Sequence, residues 1–266
     1  MFDRFKKRFD SKGIAVIPFV FSSQECDEIK RQAYEVTDEQ IKSSGYPHVP
    51  SEQAFNKKSL IFFPALANDY INKIRTDDRL KSIVQYFLGD DVKQINNQIY
   101  FREPGDEDSF AWHRDTIFRE NDIFNSHLET DYLQTIIAID DISEENGAVE
   151  FIEGSHDWEE FHTSNLRGFE RHDLKGIKYT ANKGDVMLWS VKIVHGSEPN
   201  ESTSSRMTYM NGFCRSRACN SYPDYLIDGK IVDNISAEKI PCDYLYTFLN
   251  AEDYLQNIFS ENILII

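Results

Sequence analysis

The stretch "FAWHRDTIF", residues 110–118, places a histidine and an aspartate two positions apart with Arg114 between them. On a β-strand successive side chains alternate between faces, so His113 and Asp115 point the same way and Arg114 points away from them. An imidazole beside a carboxylate is half of a metal site, but an HxD tripeptide also arises by chance in polar strands. The pair becomes a candidate metal site only if a further ligand joins it.

A third ligand candidate is His195, which lies at the end of the apolar run "DVMLWSVKIVHGSEPN" just before a turn. Two histidines and one carboxylate form the facial triad of non-haem Fe(II) oxygenases, which leaves coordination positions open for a cosubstrate and O2. Arg206 follows eleven residues later, and its guanidinium can grip a carboxylate in bidentate fashion. Together these residues predict an iron site with a place for an organic acid.

From residue 92 the chain consists of short runs rich in Val, Ile, Phe and Tyr, which predict about eight strands of an antiparallel jelly roll or barrel. The runs are "KQINNQIYF", "SFAWHRDT", "YLQTIIAID", "GAVEFIEG", "IKYTANKG", "DVMLWS", "KIVHGS" and "RMTYMNGFC". A strand at 12–21 and helices at 22–45 and 66–89 precede them. The mainly β fold class therefore has flanking N-terminal helices.

One domain over 1–266 is expected, with N-terminal helical support at 1–91, a core at about 92–215 and a C-terminal cover at 216–266. The last segment contains a helical candidate at 243–259 and ends in apolar residues, which suit either a cover on the barrel or a homo-oligomer contact. No internal repeat or linker divides the chain.

Composition narrows the classes of partner. The formal charge of −16 and pI of about 4.8 argue against nucleic acid, because phosphate backbones are held by clustered Lys and Arg. Four cysteines without a CxxC pair indicate neither a zinc knuckle nor a redox dithiol. The start has no signal-peptide core and no run is long enough for a membrane span, so a cytoplasmic protein without a membrane is expected. Phe2, Phe5 and Phe9 are expected to dock on the domain itself.

Taken in order, these motifs resemble the phytanoyl-CoA dioxygenase family of Fe(II)- and 2-oxoglutarate-dependent oxygenases. The resemblance rests on "WHRD", on "AIDDISEENGAVEFIEGSH" (138–156), on "GDVMLWSVKIVHGSEPN" (184–200) and on Arg206. It covers roughly residues 95–215 and more faintly the strand and helix at the start. It implies a double-stranded β-helix (jelly roll, cupin-like) core with Fe(II), 2-oxoglutarate and O2 as cofactor and cosubstrates.

The resemblance also implies roles for individual residues. His113, Asp115 and His195 become the iron ligands, and 2-oxoglutarate chelates the metal. Arg206 holds the C5 carboxylate of that keto acid, helped by the hydroxyl of Ser197. Because relatives that halogenate have Ala or Gly in place of Asp115, the carboxylate here favours hydroxylation.

Aligned through Pro104-Gly105, the strand "NNQIYF" contributes Asn97, Ile99 and Phe101 to the cosubstrate pocket. A departure from the family is Ile136, which stands where some members have a tryptophan beside the cosubstrate.

The predicted function is hydroxylation of a small polar or anionic metabolite with release of succinate and CO2. Desaturation or cyclisation with the same cofactors remains an alternative, as does a non-catalytic jelly roll that binds a ligand or a partner. Arg215 or Arg217 is a candidate contact for an anionic substrate, against the alternative of a solvated arginine pair. The segments 118–132 and 43–53 are candidate lids.

Overall fold

A computed structural model describes residues 2–36, 60–116, 131–158 and 174–240 of the chain. The candidate lid at 43–53, nearly all of the candidate lid at 118–132 and the predicted helix at 243–259 lie outside these ranges.

Two antiparallel sheets form the core, which confirms the jelly-roll fold class. Within the described residues the larger sheet has the order β1-β8-β5-β10-β3-β11-β12, with β2 also paired to β3, and the smaller sheet has the order β4-β9-β6-β7. The strands are β1 (Ile14–Ile17), β2 (Leu60–Phe62), β3 (Val92–Arg102), β4 (Phe110–His113), β5 (Tyr132–Ala138), β6 (Val149–Phe151), β7 (Ile177–Lys178), β8 (Val186–Ser190), β9 (His195–Ser197), β10 (Arg206–Arg215), β11 (Asp224–Ile227) and β12 (Lys230–Ile231). Each of the eight predicted runs from residue 92 to 214 contributes one strand.

The inner face of the larger sheet packs against the smaller sheet. Trp189 of β8 lies 5.6 Å, centroid to centroid, from Phe151 of β6, and both belong to an apolar cluster that includes Ile136 and Met187. The outer face packs against the helices through a larger cluster. Because both faces are covered, every residue of β5 and nearly every residue of β3 is buried.

The helices stack on the outer side, and the last three of them begin at polar side-chain caps. They are α1 (Asp3–Lys12), α2 (Ser23–Glu35), α3 (Asp69–Arg75) and α4 (Asp78–Leu88). Ser22 and Glu25 form a capping box that opens α2, as such a box does when each side chain accepts from the other's backbone N–H. The predicted helical region 66–89 is two helices, because the side chain of Asp77 caps a new start at α4.

The N-terminal phenylalanines dock on the domain, as the sequence predicts. Phe2, Phe5 and Phe9 pack against the outer cluster, and Phe9 meets Phe87 of α4 edge to face at 5.2 Å between ring centroids. Among the helices that the structure describes, none is long and apolar enough to span a membrane.

Candidate metal centre

The three predicted metal ligands meet between the two sheets. His113 ends β4 and His195 begins β9, and the two are direct partners in the antiparallel register. Their Nε2 atoms lie 3.8 Å and 3.7 Å from Oδ1 of Asp115. One ligand atom from each residue lies within 4.8 Å of the others, which leaves space for one ion among them.

Backbone carbonyls hold both imidazoles in one orientation. The Nδ1 of His113 is 2.8 Å from the carbonyl oxygen of Ala111, and the Nδ1 of His195 is 3.0 Å from that of Ile193. An Nδ1–H that donates to a carbonyl fixes the tautomer in which Nε2 carries the free lone pair. Both free lone pairs therefore sit on the nitrogens nearest Asp115.

The two oxygens of Asp115 have different neighbours. Oδ1 faces the histidines, while Oδ2 accepts a hydrogen bond from the indole N–H of Trp189 at 3.0 Å. Trp189 lies on the inner face of β8, is 1% exposed and packs against Phe151. A carboxylate tied at one oxygen in this way is oriented to bind a metal through the other.

Burial favours the neutral form of the His113 ring. It lowers the pKa of His113 to about 4, with His195 as the next largest cause. A neutral imidazole is the form that binds a metal. At neutral pH His113 is therefore ready to act as a ligand.

Arg206 is a buried cation at the other end of the same inner face. It is 5% exposed, begins β10, and pairs in register with Arg102 of β3. Burial, and secondarily the charge of Arg102, lowers the pKa of Arg206 to about 9, which still leaves it charged at neutral pH. Its Nε has no hydrogen-bond partner among the described residues. A buried charge of this kind calls for an anion.

Two further residues that the sequence analysis named, Ser197 and Ile136, also lie on this face. Ser197 is buried at the end of β9, opposite Phe110, whose ring lies 5.2 Å below the Arg102 guanidinium. Ser197 is thus at the arginine end of the site. Ile136 is on the inner face, in register with Met187 and Met210.

Asn97, Ile99 and Phe101 are not brought to the site, which corrects the prediction for these three residues. They alternate with Arg102, which shares the face of Arg206, and therefore lie on the outer face of β3. Asn97 donates to the hydroxyl of Tyr209 at 2.7 Å and accepts from the backbone N–H of Ala65.

The alignment through Pro104-Gly105 is one residue out of register, and such a slip exchanges the faces of a strand. The inner face of β3 instead presents Asn96, Gln98, Tyr100 and Arg102. These four residues are found by counting every second residue back from Arg102, the strand partner of Arg206. That pairing is known only from the sheet, so the sequence could not supply it.

Arg114 points away from the triad but is not exposed. It is buried, and its Nη2 donates to the carbonyl oxygen of Ser155 at 2.6 Å. The hydroxyl of Ser155 accepts from the backbone N–H of Val194 at 2.8 Å. The "GSH" turn thereby ties the residue after His113 to the residue before His195.

The two arginines considered for an anionic substrate are engaged elsewhere. Arg215 Nε and Arg217 Nη2 each lie 3.1 Å from Oδ1 of the fully buried Asp131. The structure therefore gives them an internal carboxylate as partner.

Comparison with known proteins agrees with this architecture. The profile of the family described as "Phytanoyl-CoA dioxygenase (PhyH)" matches residues 9–208. A curated relative, the "Probable alpha-ketoglutarate-dependent hypophosphite dioxygenase" of Stutzerimonas stutzeri, is 25% identical over an alignment of 251 residues that covers 85% of this chain and 84% of the relative.

Solved structures share the fold at lower identity. The epimerase SnoN in complex with Fe3+, alpha ketoglutarate and nogalamycin RO has a TM-score of 0.64 and 17% identity, covering 83% of this chain and 85% of its own. The carbocyclase SnoK from nogalamycin biosynthesis has a TM-score of 0.63 and 17% identity, covering 80% and 84%.

Proposed function

The chain belongs to the phytanoyl-CoA dioxygenase family, and from that premise we propose that it hydroxylates a small polar metabolite with release of succinate and CO2. It is a dioxygenase dependent on Fe(II) and 2-oxoglutarate, as the relatives and the donor set agree. The proposal concerns the residues that hold these groups, the outcome of the reaction and the substrate.

The convergence of His113, Asp115 and His195 on one small space carries the proposal. Two imidazoles and one carboxylate oxygen fit Fe(II), and three protein ligands leave positions for a cosubstrate. When bound there, Fe(II) with 2-oxoglutarate and O2 supplies an oxidant that attacks a substrate C–H bond. The chain orients both imidazoles through backbone carbonyls and packs the apolar rings of Phe151 and Trp189 against His195, which favours a site shielded from water.

Arg206 is the residue best suited to hold the far carboxylate of 2-oxoglutarate. Its guanidinium is buried with an unpaired Nε, and a planar carboxylate can satisfy two of its N–H groups at once. Ser197 is buried at the same end of the face, where its hydroxyl can add a further hydrogen bond. A silent binding protein would have little reason to combine an unpaired buried cation with a complete metal triad.

Hydroxylation is favoured over halogenation because Asp115 occupies the ligand position that a halide would need. Desaturation and cyclisation remain the alternative outcomes, since solved structures of the same fold include an epimerase and a carbocyclase. Turnover under 18O2 separates the outcomes: hydroxylation adds one labelled oxygen to the product, whereas ring closure and desaturation add none.

The binding proposal is tested by visible spectroscopy without oxygen. Adding Fe(II) and 2-oxoglutarate should give the weak charge-transfer band of the chelate. The band should disappear in His195→Ala and in Asp115→Ala because each removes a ligand.

His156→Ala is the matched control. His156 bonds the backbone of Asp10 through Nε2 and lies outside the triad, so the band should persist in this variant. A wild-type protein without the band, or triad variants that keep it, would sink the proposal.

A further inference from the structure

Two amide side chains lie on the inner face, at the end away from the arginines. Asn96 of β3 and Gln134 of β5 are both paired in register with Gly212 of β10, which stands between them. A Cβ at Gly212 would lie 2.2 Å from Oε1 of Gln134 and 2.7 Å from Cβ of Asn96. The absence of a side chain at Gly212 therefore lets the two amides approach each other over this glycine, with Oε1 of Gln134 in the space that a Cβ would take; we call the surface that the two amides form the notch.

Both amides are buried, and each has an oxygen without a partner. Asn96 and Gln134 are each 2% exposed, and neither Oδ1 of Asn96 nor Oε1 of Gln134 has a hydrogen-bond partner among the described residues. A buried polar atom without a partner costs about 1–3 kcal/mol. Two such atoms around one notch indicate a ligand that supplies the missing hydrogen bonds.

Neighbouring groups fix which end of the Asn96 amide is free. Its Nδ2 donates to Oε1 of Gln98 at 3.1 Å and contacts the sulfur of Met210 at 3.2 Å. Tyr100 donates to the same oxygen of Gln98 at 3.1 Å. With its nitrogen engaged, Asn96 offers its oxygen, which is a hydrogen-bond acceptor.

The notch lies beside the metal centre and away from the arginines. Gln134 is the register partner of Trp189, whose indole holds Asp115. Along β3, Asn96 is six residues from Arg102, which corresponds to about 20 Å of strand. The notch is therefore on the far side of the metal centre from the proposed carboxylate site.

We propose that Asn96 and Gln134 form the substrate subsite and recognise an uncharged donor group, a hydroxyl or an amide N–H, on the substrate. This inference rests on the proposed function, because it uses the metal centre as the reacting end of the same cavity. The two acceptor oxygens attract a donor, and Nε2 of Gln98, which also lacks a partner among the described residues, offers one donor beside them. A hydroxyl or a primary amide can both donate and accept, whereas a carboxylate only accepts. The cavity then holds the donor group in the notch while a neighbouring C–H faces the metal.

Charge around the notch agrees with a neutral group. The side chains that contact or pair with the two amides are uncharged: Gln98, Trp189 and Met210. Arg215 and Arg217 have Asp131 as their partner, and Arg206 is committed to the cosubstrate. An anionic substrate would find no countercharge at this position among the described residues.

Fragment binding to the anaerobic enzyme loaded with Fe(II) and 2-oxoglutarate tests the inference. The probes are small cyclic alcohols and primary amides, their matched carboxylates, and hypophosphite, the anion named for the Stutzerimonas stutzeri relative. Paramagnetic relaxation of the fragment protons in NMR reports binding near the metal. Alcohols and amides should bind, whereas carboxylates and hypophosphite should not.

Variants then assign the binding to the notch. Asn96→Leu and Gln134→Leu should each weaken alcohol and amide binding by about tenfold or more, since each leaves one hydrogen bond unmade. The charge-transfer band should be unchanged in both variants. Tighter binding of the anions, no binding of any alcohol or amide, or binding that neither substitution weakens would overturn the inference.

Gln134→Glu keeps the shape of the side chain and guards against misfolding of the leucine variants. A carboxylate there keeps the acceptor, so the neutral fragments should still bind, and its charge should shift the preference toward the matched primary amines as ammonium ions. Unchanged preference in Gln134→Glu counts against the inference. Loss of the charge-transfer band in wild type is a different failure, which concerns the metal centre and not the notch.

Discussion

At the residue scale, the two oxygens of Asp115 have different partners and therefore different roles. Oδ2 receives the Trp189 N–H, and Oδ1 faces the two Nε2 atoms. Partners of this kind around a metal ligand typically change metal affinity by about 10–100-fold. The indole is therefore a positioning group that does not itself touch the metal.

Trp189→Phe should weaken Fe(II) binding by about tenfold or more. The phenyl ring keeps most of the packing against Phe151 but cannot donate a hydrogen bond, so Oδ2 of Asp115 is free to rotate toward the metal. Fe(II) titration followed by the charge-transfer band measures both the affinity and a shift of the band. Unchanged affinity and an unshifted band would show that the indole only fills space.

Arg206→Met should separate stability from cosubstrate binding. Removing a buried cation whose Nε has no partner among the described residues relieves a desolvation cost, so the free energy of unfolding without ligand should rise by about 1–3 kcal/mol. Saturating 2-oxoglutarate at about 100 times its Kd should stabilise the wild type by about 2.7 kcal/mol and the variant not at all.

Urea unfolding with and without 2-oxoglutarate, in the presence of Fe(II), gives both quantities for Arg206→Met. Equal stabilisation of variant and wild type by the keto acid would contradict the role of Arg206.

At the element scale, the turn before β6 supports the strand that carries His195. Gly147 has φ +81°, and a Cβ there would lie 2.7 Å from the carbonyl oxygen of Glu198, directly after β9. The turn thus depends on a glycine for its backbone conformation and also for its close approach to β9. The "SEENG" turn is a structural support of the metal centre.

Gly147→Ala should destabilise the fold more than Gly154→Ala. Both glycines have φ near +80°, but a Cβ at Gly154 would meet nothing within 4 Å. Gly154→Ala therefore measures the strain of positive φ, about 1 kcal/mol, and the additional loss in Gly147→Ala measures the clash with β9.

Urea midpoints and Fe(II) affinity of the two glycine variants check this prediction. Fe(II) binding should weaken in Gly147→Ala only. Equal losses in both variants would mean that the contact with Glu198 has no effect on the site.

At the scale of the whole molecule, acidic side chains outnumber basic ones by 45 to 29. Like charges spread over one compact fold repel each other and oppose folding. Several surface acids are paired, as Glu25 is with Arg79 at 2.6 Å, but a formal charge of −16 remains.

Raising KCl from about 0.02 M to about 0.5 M should therefore increase the free energy of unfolding, because the Debye length falls several-fold over this range. Urea midpoints at matched pH measure the change, and NaCl should act like KCl if screening is the cause. A midpoint that falls with both salts would mean that attractive surface pairs outweigh the net repulsion.

The sequence by itself determined the candidate ligand set. His113 and Asp115 are two residues apart in a run that predicts a strand, where alternation puts them on one face; the structure ends β4 at His113, with Asp115 just beyond it. His195 and Arg206 are marked by their residue types, by the turn after the first and by the strand that the second begins. These signals are local or follow chain order, so they can be read from the sequence without knowing how the strands pair in the sheet.

Only the tertiary structure decided which face of β3 meets the metal centre. Helices cover one side of this strand and the smaller sheet covers the other, so its residues are buried on both faces. No alternation of polar and apolar residues then distinguishes the inner face. The prediction that Asn97 lines the site was wrong for this reason. The pairing of Arg102 with Arg206 shows instead that Asn96 lies on the inner face. The bond from Trp189 to Asp115 likewise joins residues 74 apart in the chain, and only packing brings such residues together.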